Sequence, residues 1–284
     1  MELLGPEVLG FSAGGPGLSV FDWREAPQAE FAVIGDPVKH SLGPQMYSRA
    51  LAELGYPYSY VAIHVPGGSA KEALDFLRAQ GYWGVNVTVP HKKDAMEWCE
   101  TLSDFARRVE AANTVDLRTR EGANTDAPGF MDTLDGLCER IGRALVLGAG
   151  GAARAVVAAL CDAGWQVGVF NRTASRAEEL VGRLDCGAKA LDRPDPGECC
   201  LVINATSASL FGEVPDVDWS RVEAGALFYD LSYGEEATPF VALARSKGFV
   251  AVDGKLMLAA QGARSLEYWL GKQIPQEAML RALR

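Results

Sequence analysis

Histidine is scarce. Only His40, His64 and His91 occur in 284 residues, and none stands at a metal-motif spacing from another. No metal is expected on that ground. The six cysteines (Cys99, Cys138, Cys161, Cys186, Cys199, Cys200) lack metal-ligand spacing, and the vicinal Cys199–Cys200 pair is a poor disulfide candidate. Scattered cysteines in an enzyme-sized chain read as reduced, so a cytoplasmic location is expected. Positive charge is in deficit, with 27 Lys and Arg against 37 Asp and Glu and a net charge of −10. The field of the whole molecule therefore disfavours nucleic acid and anionic membrane surfaces as partners. A small anionic ligand is not excluded, because a few local Arg and Lys decide that. No apolar run approaches the ~20 residues of a membrane helix. The first 29 residues have no basic start followed by an apolar core, so no secretory signal is expected. They include Gly14-Gly15-Pro16-Gly17 and read as a loose N-terminal extension.

What is present is an alternation of apolar runs and amphipathic stretches, without internal repeats or low-complexity tracts. Glu30–Gly35, Tyr58–Val65 and Gly84–Val89 read as strands. Pro44–Gly55, Ser69–Gln80 and a short stretch after Pro90 read as helices. A second series begins near residue 143. Ala144–Leu147, Gln166–Phe170, Leu201–Asn204, Ala226–Leu231 and Phe249–Val252 read as strands, and Ala152–Ala163, Ala174–Leu184 and Pro239–Lys247 as helices. The pattern predicts an α/β chain of two domains with largely parallel sheets. A last long helix, Lys255–Leu270, follows a complete nucleotide-binding series and is expected to return to the first domain. The expected division is 30–125 plus 254–284 for one domain and 126–253 for the other. A ligand cleft is expected between them. Gly129 and Gly254 near the two joints are expected to let the domains close.

Gly148-Ala149-Gly150-Gly151-Ala152 follows the apolar Leu145–Leu147 and opens a helix. Gly148 permits a tight turn, Gly150 admits a pyrophosphate, and the helix N-terminus offers free N–H groups. The second strand of a NAD-binding domain usually ends near an acid that holds the ribose hydroxyls. Here Asn171-Arg172-Thr173 stands in that place, with Arg176 one turn on. Two guanidinium groups and no carboxylate point to NADP. Two solvated surface arginines is the competing reading.

Gly35-Asp-Pro-Val-Lys-His40-Ser41-Leu-Gly43-Pro44 and Asn86-Val-Thr88-Val-Pro90-His-Lys92 resemble the substrate loops of shikimate dehydrogenases, in the shikimate/quinate dehydrogenase family. Ala112-Asn113-Thr114, Gly122-Ala-Asn124-Thr125-Asp126, Asn171-Arg172-Thr173, Asn204-Ala-Thr206-Ser207 and Asp253-Gly254-Lys-Leu-Met257-Leu-Ala-Ala-Gln261 fit in order and spacing. The match runs from about residue 31 to 270.

The resemblance implies an N-terminal substrate-binding domain completed by C-terminal helices, a Rossmann-like NADP-binding domain, and a monomer or homodimer. Lys92 would be the acid/base, stabilising charge on the carbonyl oxygen and moving its proton. Asp126 would be its partner; a helix N-cap is the competing reading. Asn86, Thr88, Asn113 and Gln261 would read ring hydroxyls. Ser41, with Tyr233, would bind the ring carboxylate. Gly148 to Ala152, Asn171, Arg172, Thr173 and Arg176 would hold the cofactor, with Asn204, Thr206, Ser207, Leu231 and Gly254 along its cleft. Met257 would pack on the nicotinamide side unless it is a core methionine.

Gly43 departs from the family's usual serine. A missing hydroxyl there weakens carboxylate binding by about 1–3 kcal/mol if nothing replaces the bond. It also leaves room beside C1 of the ring, where quinate carries its extra hydroxyl. Tyr233 is followed by Gly-Glu-Glu, Leu256 stands before the methionine, and Ala127 follows Asp126, each a further departure. The resemblance implies NADPH-dependent, reversible reduction of 3-dehydroshikimate to shikimate, in chorismate and aromatic amino-acid biosynthesis. A quinate or quinate/shikimate dehydrogenase is the alternative, and a non-catalytic binding or regulatory homologue is a second.

Overall fold

A computed structural model describes residues 19–138 and 140–284. Gly14–Gly17 lies outside the described residues. The first part of the chain runs β1 (Val20–Asp22), β2 (Phe31–Gly35), α1 (Gly43–Glu53), β3 (Tyr60–His64), α2 (Ala70–Ala79), β4 (Gly84–Val87), α3 (Lys92–Trp98), β5 (Thr101–Leu102), α4 (Asp104–Arg108), β6 (Thr114–Asp116), β7 (Glu121–Ala123) and α5 (Asp126–Leu134). The rest runs β8 (Arg143–Leu147), α6 (Gly151–Asp162), β9 (Gln166–Phe170), α7 (Ala174–Leu184), β10 (Lys189–Ala190), β11 (Cys199–Asn204), β12 (Leu227–Asp230), α8 (Pro239–Ser246), β13 (Val250–Val252), α9 (Lys255–Leu270) and α10 (Gln276–Ala282).

Two sheets result. The first has the order β1-β3-β2-β4-β6-β7-β5, the second β10-β9-β8-β11-β12-β13. The second is parallel throughout. Helices cover both faces of such a sheet, which is why β8 and β11 are almost wholly apolar and buried. The first sheet is mixed, because β6 pairs antiparallel with both β4 and β7. Strands β6 and β7 have three residues each, too few for a readable alternation in the sequence.

The extension reading fails for part of residues 1–29. Val20–Asp22 pairs in parallel with Ala62–His64 as an edge strand, and Trp23 beside it is buried against Phe76. An aromatic anchor draws this segment onto the sheet, where a Gly/Pro-rich composition suggested a loose chain.

The last long helix returns to the first sheet, as its amphipathic face required. Trp269 of α9 stacks on Phe31 of β2 with ring centroids 4.8 Å apart, and its indole N–H donates to the Val115 carbonyl. Gly84 has no side chain where that ring lies. Removing such a buried ring typically costs about 3–5 kcal/mol. Helix α10 then packs on α1.

The two glycines expected to act as flexible joints do something else. A Cβ on Gly129 would stand 2.6 Å from the backbone nitrogen of Gln261, so the glycine lets α5 and α9 cross closely. A Cβ on Gly254 would run into the Leu231 carbonyl. Both serve close approach. Val109, Ala111, Phe130 and Leu134 also join the core built around β8 and α6, so the two halves share apolar packing behind the cleft. Among the described residues no helix is long and apolar enough to cross a membrane.

Candidate active site

Lys92 opens α3 just beyond β4, and Asp126 opens α5 just beyond β7. The fold brings them together: Lys92 Nζ lies 2.6 Å from Asp126 Oδ2. Their side chains are only 16% and 10% exposed, so the pair is largely shielded yet reachable from one side. A carboxylate in the first turn of α5 is favoured by the positive end of the helix. The N-cap, Thr125, makes no side-chain cap bond; instead Asn124 Oδ1, one residue earlier, accepts from the N–H groups of Asp126 and Ala127. That frees the Asp126 carboxylate for Lys92 and disposes of the capping alternative.

Behind the pair stands a buried polar network. Asn113 Nδ2 donates to Asp126 Oδ1 at 2.8 Å and to Thr125 Oγ1 at 3.0 Å. Its Oδ1 accepts from the Thr125 N–H at 2.8 Å. Asn86 Nδ2 donates to Ser265 Oγ at 3.0 Å and the Asn113 carbonyl at 3.2 Å, while its Oδ1 accepts from the Tyr60 hydroxyl at 2.8 Å. Tyr60 is stacked on Tyr47, and burial pushes its hydroxyl well above the usual range. It therefore stays a donor and fixes which way Asn86 points. Gln261 Nε2 donates to the Leu258 carbonyl, and its Oε1 lies 3.5 Å from Asn113 Nδ2.

At the mouth, Ser41 Oγ accepts from the Gly43 N–H at 3.2 Å, and the Tyr233 hydroxyl faces Ser41 and the Leu42 backbone. Burial raises the Tyr233 phenol. Thr88 is half-buried just past β4, its methyl occupying the space a side chain on Gly35 would need.

Across the cleft lies the glycine turn. Gly148 has φ +112, a conformation open to glycine, and its N–H donates to the Phe170 carbonyl at 2.7 Å. Nothing stands within 4 Å of where a Cβ on Gly150 would be, so this turn leaves an open cradle. Gly151 begins α6 without a side-chain cap, and a Cβ there would sit 3.9 Å from Lys92 Cδ. Ala149 and Ala152 flank the turn, half-buried. Asn171 Nδ2 donates to the Thr173 carbonyl, which shapes the turn into α7. Arg172 and Arg176 are exposed and, among the described residues, make no ion pair.

Two expected cofactor neighbours are used internally. Asn204 is fully buried, with its amide donating to Ser209 and Asp230 and its oxygen accepting from the Thr206 N–H and hydroxyl. It shapes the Thr206–Ser207 loop. Met257 is 7% exposed and joins the core around β8. Leu231 and Gly254 meet through their backbones.

A family model for the shikimate dehydrogenase substrate binding domain matches residues 33–115, one for shikimate / quinate 5-dehydrogenase matches 138–211, and one for the shikimate 5'-dehydrogenase C-terminal domain matches 256–284. The shikimate dehydrogenase (NADP(+)) of Hyphomonas neptunium is 41% identical over 251 residues, covering 84% of this chain and 90% of the relative. The chain belongs to the shikimate dehydrogenase family. A family member from Moorella thermoacetica, also a shikimate dehydrogenase (NADP(+)), is 38% identical, covering 89% of this chain and 92% of its own. Among solved structures, the shikimate 5-dehydrogenase of Thermus thermophilus, in complex with NADP(H) and shikimate, superposes with a TM-score of 0.83 at 37% identity, covering 90% of this chain and 99% of that one.

In this shikimate dehydrogenase family member, four polar side chains beyond the expected site take part in the network: Tyr60, Thr114, Thr125 and Ser265. Thr114 Oγ1 lies 2.8 Å from Ser265 Oγ and 3.1 Å from Thr125 Oγ1. Thr114 and Thr125 adjoin Asn113 and Asp126, a usable signal. Ser265 lies one turn beyond Gln261, so a polar residue on the same helix face was the available clue.

Proposed function

We propose that this chain is an NADP-dependent shikimate dehydrogenase, interconverting 3-dehydroshikimate and shikimate for aromatic amino-acid biosynthesis. The observation that carries the reading is the Lys92–Asp126 pair facing the Gly148–Gly151 turn, with Lys92 Cδ 3.9 Å from a Cβ position on Gly151. The open cradle at Gly150, the uncapped start of α6 and the unpaired Arg172 and Arg176 suit a dinucleotide carrying a 2′-phosphate. When bound, NADP(H) supplies or accepts the hydride.

The chain's own residues do the rest. Lys92, positioned by its 2.6 Å hydrogen bond to Asp126, donates a hydrogen bond to the carbonyl oxygen of 3-dehydroshikimate. As charge builds on that oxygen, Lys92 Nζ gives it a proton; in the reverse direction the amine takes the hydroxyl proton. Asp126 Oδ2 orients Nζ, and Asn113 orients Asp126 through Oδ1. Asn86 presents the remaining lone pair of Oδ1 to a ring hydroxyl; Thr88 and Gln261 complete that face. Ser41 and Tyr233 bind the ring carboxylate. Residues 30–125 with 254–284, joined by the Val20–Asp22 edge strand, form the substrate domain and 126–253 the cofactor domain, and the active protein is a monomer or homodimer in the cytoplasm.

One observation favours quinate as a second reading. A Cβ on Gly43 would stand 3.1 Å from Ser41 Oγ, tighter than an ordinary contact, so the glycine keeps side-chain atoms, and the hydroxyl a serine would bring, out of a narrow corner at the carboxylate end. Initial rates with shikimate and quinate, each with NADP and NAD, test the proposal. Shikimate with NADP should give the highest kcat/KM. Quinate at comparable rates, suppressed by Gly43→Ser, would move the assignment to the second reading.

A further inference from the structure

We infer that Cys161 and Cys186 are a redox-active dithiol that closes to an intramolecular disulfide, stapling the loop that carries the Arg172 region. Cys161 sits in the last turn of α6 and Cys186 just beyond α7, on the side of the cofactor half away from the cleft. Their sulfurs are 3.0 Å apart and both residues are half-buried, within reach of a small oxidant. Bonding needs an approach of about 1 Å. Cys186 lies between Asp185 (φ +42) and Gly187 (φ +83), in a tight turn outside regular structure, where that movement disturbs no helix. Residues 162–185, enclosed by the link, comprise β9, Asn171-Arg172-Thr173 and α7.

The nearest alternative is Cys138 beside Cys200, but there each thiol donates to a backbone carbonyl, Arg140 and Arg143, at 3.6 Å. Cys199 and Cys200 are consecutive residues of β11, so their side chains point to opposite faces. Burial pushes the Cys161 thiol up to about 12, while the Arg108 guanidinium, bonded to Asp162 at 2.7 Å, opposes the shift. The thiolate is therefore rare at neutral pH, and closure is slow there and faster in mild alkali.

With a low-molecular-weight disulfide as oxidant, one thiolate attacks it, forms a mixed disulfide and expels one thiol. The second thiolate attacks the protein sulfur of that bond and expels the other. The protein loses two electrons and two protons, and the oxidant becomes two free thiols.

The test is exposure of the full chain to oxidised glutathione in mild alkali, followed by thiol counting, non-reducing peptide mapping and thermal unfolding. Two of the six thiols should disappear, the Cys161 and Cys186 peptides should run linked, and Tm should rise by several degrees until dithiothreitol reverses it. Cys161→Ser and Cys186→Ser should each lose the rise and retain one glutathione adduct. The wild-type map decides the matter even if a variant fails to fold. Linkage of another pair, glutathione adducts without linkage, unreacted thiols, or a lowered Tm on linkage would overturn the inference.

Discussion

Ser265 of α9 and Asn86 of β4 meet through a 3.0 Å hydrogen bond, 179 positions apart in sequence. The same hydroxyl donates to the Gln261 carbonyl and lies 2.8 Å from Thr114 Oγ1. Ser265 thus couples the C-terminal helix to the two asparagines beneath the Lys92–Asp126 pair. Ser265→Ala leaves buried polar groups short of partners, a loss of about 1–3 kcal/mol in stability. Because Asn86 loses an anchor, the shikimate KM should rise while kcat changes less. Denaturant unfolding and steady-state kinetics on the variant check both. An unchanged KM would separate this network from substrate recognition.

Arg172 and Arg176 are the cationic groups at the start of α7. Replacing both with Ala should raise the NADP KM about ten- to a hundredfold, the effect of losing charge-assisted hydrogen bonds of about 1.5–3 kcal/mol. NAD use should barely move, because it has no 2′-phosphate. Equal losses with both cofactors would show that the arginines do not read the phosphate.

Glu110 bridges the two halves. Its Oε2 accepts from Arg183 Nη1 at 2.6 Å and from Arg154 Nη1 at 2.7 Å. The Arg183 hydrogen bond is the main reason its carboxyl lies below the ordinary value, with the Arg183 and Arg154 charges adding to it. A folded-state pKa below the unfolded one, about 4.3, gives stability that is complete above that range. It is lost as pH falls through the lowered folded value. Glu110→Gln should therefore melt a few degrees below wild type at neutral pH, with the gap closing in acid. A gap of constant size across that range would remove the ion pairs from the account.

The sequence carries much of this fold because motif and element coincide. The Gly148–Gly151 turn needs a strand before it and a helix after it, and all three are visible locally. Lys92 and Asp126 are legible through the motifs around them, although only the fold joins them. Other features depend on directions that no local pattern encodes. Asn204 looks like a cleft residue, yet at the end of β11 it is fully buried and bonded to Ser209, Asp230 and Thr206. Gly129 looks like a joint, whereas its missing Cβ admits the Gln261 backbone. Tyr60 and Ser265 reach Asn86 from distant elements, and β5, β6 and β7 are too short for any periodicity.

Lys92 is proposed to move the proton at the reacting oxygen, with Asp126 holding Nζ in place. The most direct test is kcat for shikimate oxidation by NADP in Lys92→Ala, measured beside shikimate binding by the same protein. In Lys92→Ala kcat should fall by about 10²–10⁴-fold, the range for a lost general acid/base, with binding changed far less. A kcat within a few fold of wild type would contradict it.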